Sequence, residues 1–148
     1  MKRRLSWPIF WALVGVFVVI ASVFLIPAAR ELLMGLAFLI ASGTVFFLLG
    51  VALIFLTLRE KVRGKLKKFF ILTGASSAGF FVSFLLHNAI YGLLIYWFGA
   101  DFWKGGDEPV FFIMATVVCP IGFLVGVAGS IVIAIKEFRR AKKTPPSP

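Results

Sequence analysis

Four apolar stretches, residues 5–27, 32–58, 69–98 and 110–135, take up most of the 148-residue chain. Each is long enough to cross a bilayer, whose hydrocarbon layer of about 30 Å takes about 20 helical residues at 1.5 Å apiece. The hydrophobic share is 61%, against about half in soluble domains. Inside hydrocarbon every backbone N–H and C=O must be satisfied within the protein, so spans of this length are helices. The expected fold class is all-α, a membrane-embedded antiparallel four-helix bundle. It forms one domain over residues 1–136, and a basic, Pro-rich tail over 137–148 is expected to be mobile.

The formal net charge of +10 is distributed by connection and not as a nucleic-acid patch. Lys2, Arg3 and Arg4 precede the first span. Arg59, Lys61, Arg63, Lys65, Lys67 and Lys68 lie between the second and third, and Lys136, Arg139, Arg140, Lys142 and Lys143 follow the fourth. With four crossings these fall on one side, leaving Arg30 and Lys104 on the other. Lys and Arg in short loops stay in the cytoplasm, so both termini are expected inside. The same residues would attract anionic lipid headgroups on the cytoplasmic side. Trp7 and Trp11 mark the inner boundary, and Tyr96, Trp97 and Trp103 the outer one. The first span follows a basic start and ends in IPAA, as a secretory signal would. Its apolar run over residues 7–26 exceeds the usual h-region of about 7–15 residues, so it is read as a helix of the bundle.

Ser6 is the expected N-cap of the first helix, with Pro8 in its first turn. The GGDEP start of the fourth helix places Asp107 or Glu108 at the positive end of the helix dipole, as caps. An outward cation site made by Asp101, Asp107 and Glu108 is the alternative. Helices in lipid associate where small residues let backbones approach. Ala115, Cys119, Gly122, Gly126 and Ser130 recur at helical spacing on the fourth span, and Ala75, Gly79 and Ser83 on the third.

His87 and Asn88 stand side by side in a run otherwise free of ionisable side chains except tyrosine. Counting the helical rise from the outer end of each span places His87, Asn88, Ser42, Thr44, Thr116, Cys119 and Pro120 in one layer near the bilayer middle. Pro120 contributes by leaving the Thr116 carbonyl without its usual donor. The expectation is that His87 and Asn88 bond into this layer, either as interhelical glue or as a site that carries protons or binds a quinone oxygen or small polar solute.

No catalytic set is visible. There is one histidine, one cysteine and no acid pair within a span, so no metal site, haem or other cofactor is expected. The run TGASSAG matches neither phosphate-binding pattern and reads as a packing surface. The blocks LTGASSAGFFVSFLLHNAIYGL (residues 72–93) and GDEPVFFIMATVVCPIGFLVGVAGSIV (residues 106–132) resemble a family of small prokaryotic four-helix integral membrane proteins without an assigned activity. That resemblance implies a multi-pass protein of a prokaryotic plasma membrane. The expected function is that of a non-enzymatic accessory or interaction subunit, with a protein partner or a second copy of itself. The alternative is a small oligomeric transporter, channel or proton-linked carrier using the His87 and Asn88 layer.

Overall fold

The computed structural model describes residues 5–28, 31, 35–104 and 106–143, which are almost wholly helical, with no strand among them. The long helices are α1 (Ser6–Leu25), α2 (Leu36–Arg59), α3 (Gly64–Phe98) and α4, which runs through three consecutive pieces, Pro109–Ile113, Met114–Val118 and Cys119–Lys143. All four are long and apolar enough to cross a membrane.

Two helices outrun their apolar stretches. α3 begins at Gly64 instead of residue 69, which puts Lys65, Lys67 and Lys68 on the helix. α4 continues to Lys143, so residues 137–143 of the expected mobile tail are helical, and residues 144–148 lie outside the described part. The run KEFRRAKK is made almost entirely of good helix formers, and its cations suit the negative end of the helix dipole. Hydropathy alone marks only the apolar length of a helix.

Within α4 the middle piece, Met114–Val118, is a π-helical turn. Pro120 lies two residues beyond its end, and a proline lacks the N–H that would bond the carbonyl four residues back and crowds it sterically. Widening the helix by one residue at that point accommodates the ring. α2 closes differently. Lys61 takes the left-handed conformation at φ 51°, and the Lys61 and Val62 amides donate back to the carbonyls of Leu58 and Thr57, both at 3.1 Å. This is the Schellman arrangement, completed by burial of Val62.

α3 is the central helix, packing on α2 along one side and α4 along the other. Toward α2 the approach is backbone on backbone. A Cβ at Gly50 would lie 2.7 Å from the Gly74 carbonyl oxygen, and one at Gly74 would lie 2.6 Å from that of Gly50. Beside this crossing the Ser77 hydroxyl donates to the Phe46 carbonyl at 2.5 Å, and Gly43 faces Phe81. Toward α4, Gly122 sits against Ser76, Gly126 against Thr73, and Gly129 against the Phe69 ring. α1 joins through aromatic stacking, with Phe17 at 4.5 Å from Phe123 and 6.2 Å from Phe46. At the other end of the core Phe10, Trp7 and Phe70 meet at 5.1–5.5 Å.

The start of α1 is held from a distance. Ser6 lies inside the helix, not at its cap, and Glu60 supplies the capping carboxylate from beyond α2. Its Oε1 accepts from the Leu5 amide at 2.6 Å, and its Oε2 accepts from the Ser6 hydroxyl at 2.7 Å. Ser6 is fully buried under this clasp.

Candidate functional site

The polar side chains expected to meet in one layer do not bond to one another. Ser42 donates to Phe38 O, Thr44 to Ile40 O, Asn88 to Phe84 O and Thr116 to Phe112 O, at 2.6–2.8 Å and each within its own helix. A short hydroxyl or amide in a helix has a carbonyl one turn back within reach, so bonding there needs no neighbour. Cys119 is buried with its sulfur against Gly79, and Pro120 shares a cavity with Phe17, Phe46, Phe80 and Phe123.

His87 goes elsewhere. Its Nδ1–H donates to the Glu108 carbonyl at 3.2 Å and lies 3.4 Å from Glu108 Oε2, while Nε2 stands 3.5 Å from Asp107 Oδ2. A carbonyl oxygen only accepts, so the bond requires the hydrogen on Nδ1. Glu108 is 4% exposed and is also the N-cap of α4, taking the amides of Val110 at 2.8 Å and Phe111 at 2.9 Å on its two oxygens. Asp107 in turn accepts from the Glu108 amide at 2.8 Å. Burial pushes the Glu108 carboxyl up, but the amides of Val110, Phe111 and Phe112 and the His87 side chain outweigh it and hold it below the ordinary 4.5.

This geometry corrects the depth assigned to His87. The residue is level with the first turn of α4, at a rim of the bundle, and not midway along it. Counting the rise from the end of each apolar run assumes that all runs end in one plane. They do not, because α3 continues for eleven residues beyond His87, about 16 Å. The chain then doubles back through a 3-10 turn, Ala100–Trp103. Gly99 at φ 90° makes the break, a conformation that only glycine adopts without strain. On the return, Trp103 stacks on Tyr91 at 5.8 Å and 14° and donates its indole N–H to the Tyr91 carbonyl at 3.4 Å. Tyr91 stacks in turn on His87, which also meets Phe112.

The rim is therefore one linked unit of imidazole, two carboxylates and three aromatic rings. The run around His87 contains no carboxylate, and its partners lie 20 and 21 residues away, on the far side of the fold-back. Among the described residues no group of three His, Cys, Asp or Glu side chains is placed to hold a metal ion. The alternative cation site loses Glu108 to its capping role, and Asp101 lies within the 3-10 turn Ala100–Trp103.

The small-residue stripes divide. Ala115, Cys119, Gly126 and Ser130 are buried along α4 with Gly122 half-buried. On α3, Gly79 and Ser83 face inward but Ala75 is exposed, and Thr73 and Ser76 take the place assigned to it. Comparison with protein-family models, curated proteins and solved structures gives no match.

Proposed function

We propose that this chain is a non-enzymatic multi-pass membrane protein, an antiparallel four-helix bundle with both termini cytoplasmic, that serves as an accessory or interaction subunit. The observation that carries the reading is the overshoot of α3. Its last turns and the following connection present Tyr96, Trp97, Phe98 and Phe102 at 84%, 64%, 63% and 43% exposure. They do so beyond the level at which α4 begins. A helix of 35 residues is about 52 Å long, well over the hydrocarbon thickness, whereas α1 with 20 residues matches it. An aromatic projection at and beyond the membrane boundary is the kind of surface by which partners anchor. The charge bias supports the orientation, and the resemblance of residues 72–93 and 106–132 supports a prokaryotic plasma membrane.

The interior supports a packing role over a conducting one. Two cavities between the helices hold about 30 Å³ each, lined mainly by Phe17, Ile20, Phe46, Phe80 and Phe123 in one and Phe24, Leu39, Phe81 and Phe84 in the other. Purification in mild detergent tests the proposal. A copurifying chain or self-association is expected, and it should be lost when Tyr96, Trp97 and Phe98 are replaced by serine while the helical content is kept. A stable lone monomer in native-membrane extracts would count against it.

The rim cluster favours a second reading, a small oligomeric proton-linked carrier, because it groups three titratable side chains. Flux in reconstituted vesicles decides it. That reading requires a proton or solute flux that His87→Ala abolishes with the fold intact.

A further inference from the structure

A crevice of about 290 Å³ opens at the basic end of the bundle, where the first turn of α3 meets the extension of α4. It is lined by Lys65, Lys136, Arg140, Glu137 and Ile133. Three cations and one carboxylate share the lining, and Ile133 supplies its apolar side. Its level is set by helix lengths. α3 starts five residues before its apolar run and α4 ends eight residues after its own, about 7 and 12 Å of helix. The polar layer on each side of a bilayer is about 5–8 Å deep, so these cations stand at headgroup height. The volume lies at the lower end of small-ligand sites and suits a headgroup, not a whole lipid. A phosphate brings the negative charge that Lys and Arg bind best, and the glycerol and first methylenes behind it would meet Ile133.

We propose that this crevice is a binding site for the phosphate of an acidic phospholipid headgroup. The assignment rests on the reading of the chain as membrane-spanning, not on its accessory role. Basic pockets between spans are established sites of this chemistry. What distinguishes it from diffuse attraction is that three cations from two helices line one crevice.

The full chain is released from nanodiscs of phosphatidylcholine doped with phosphatidylglycerol and weighed intact by native mass spectrometry. Phosphatidylglycerol should be retained in preference to phosphatidylcholine. Lys65→Gln, Lys136→Gln and Arg140→Gln together should lower its occupancy about tenfold. Lys61→Gln, Arg63→Gln and Lys68→Gln together, the same charge loss outside the crevice, should change it less than twofold. If the triple variant loses helical content, Lys136→Glu alone should still lower occupancy severalfold. Equal losses from both sets, equal retention of the two lipids, or displacement of the lipid by inorganic phosphate would each overturn the headgroup assignment. A chain that does not enter nanodiscs overturns the membrane reading and this site with it.

Discussion

Replacing Gly50 by alanine tests the crossing that sets how α2 and α3 interlock. The new Cβ would stand 2.7 Å from the Gly74 carbonyl oxygen, 2.9 Å from Ser77 Oγ and 3.0 Å from Ser77 Cβ, where ordinary contact begins at 3.4 Å. The closest atom is backbone and has no rotamer by which to yield, so the helices must part by about 0.7 Å on these distances. Overpacking of this kind costs about 1–3 kcal/mol. Parting also stretches the bond from Ser77 to the Phe46 carbonyl, worth about 0.6 kcal/mol in a membrane bundle. Alanine returns up to about 1 kcal/mol through its better helix propensity. The net expectation is a loss of about 1–2 kcal/mol. Gly15→Ala is the control, since a Cβ there meets nothing within 4 Å, and it should be neutral or slightly stabilising. Reversible unfolding in mixed micelles, titrated with a denaturing detergent and followed by circular dichroism, measures both. Equal stability of the two variants would refute the claim that the backbones touch at Gly50 and Gly74.

Other expectations follow from single contacts. Glu108→Gln should destabilise the protein at neutral pH. Because the folded carboxyl is held below its ordinary value, the stability it adds is present above pH 4.5 and is lost as the pH falls through the lower folded value. The difference between wild type and variant, followed by thermal unfolding across that range, should therefore shrink toward acid. Lys61→Gly should stabilise by about 1 kcal/mol, since it removes a left-handed non-glycine residue at φ 51°; unchanged or lowered stability would contradict the Schellman closure of α2. His87→Ala should free the fold-back, seen as a red-shifted emission component from Trp103 and faster proteolysis near residues 99–108, with the rest of the bundle retaining its helicity. Glu60→Gln should weaken the clasp on Leu5 and Ser6 and raise hydrogen exchange at the start of α1 more than elsewhere.

The four helices could be read directly from the chain, because length and apolar character are properties of each stretch separately. The capping of α4 by an acidic residue and a proline was equally legible, as a matter of three adjacent positions. What the tertiary structure alone decided is how far each helix is shifted along its axis and which way it is turned. Gly50 against Gly74 and Gly126 against Thr73 set the levels, and the return of the chain past Tyr91 brings Glu108 to His87. No local pattern encodes such offsets, since a helix slid by one turn keeps its hydropathy and its own hydrogen bonds. For the same reason the reach of Glu60 to a helix start more than fifty residues away, and the outward turn of Ala75, had no signature in the residues around them.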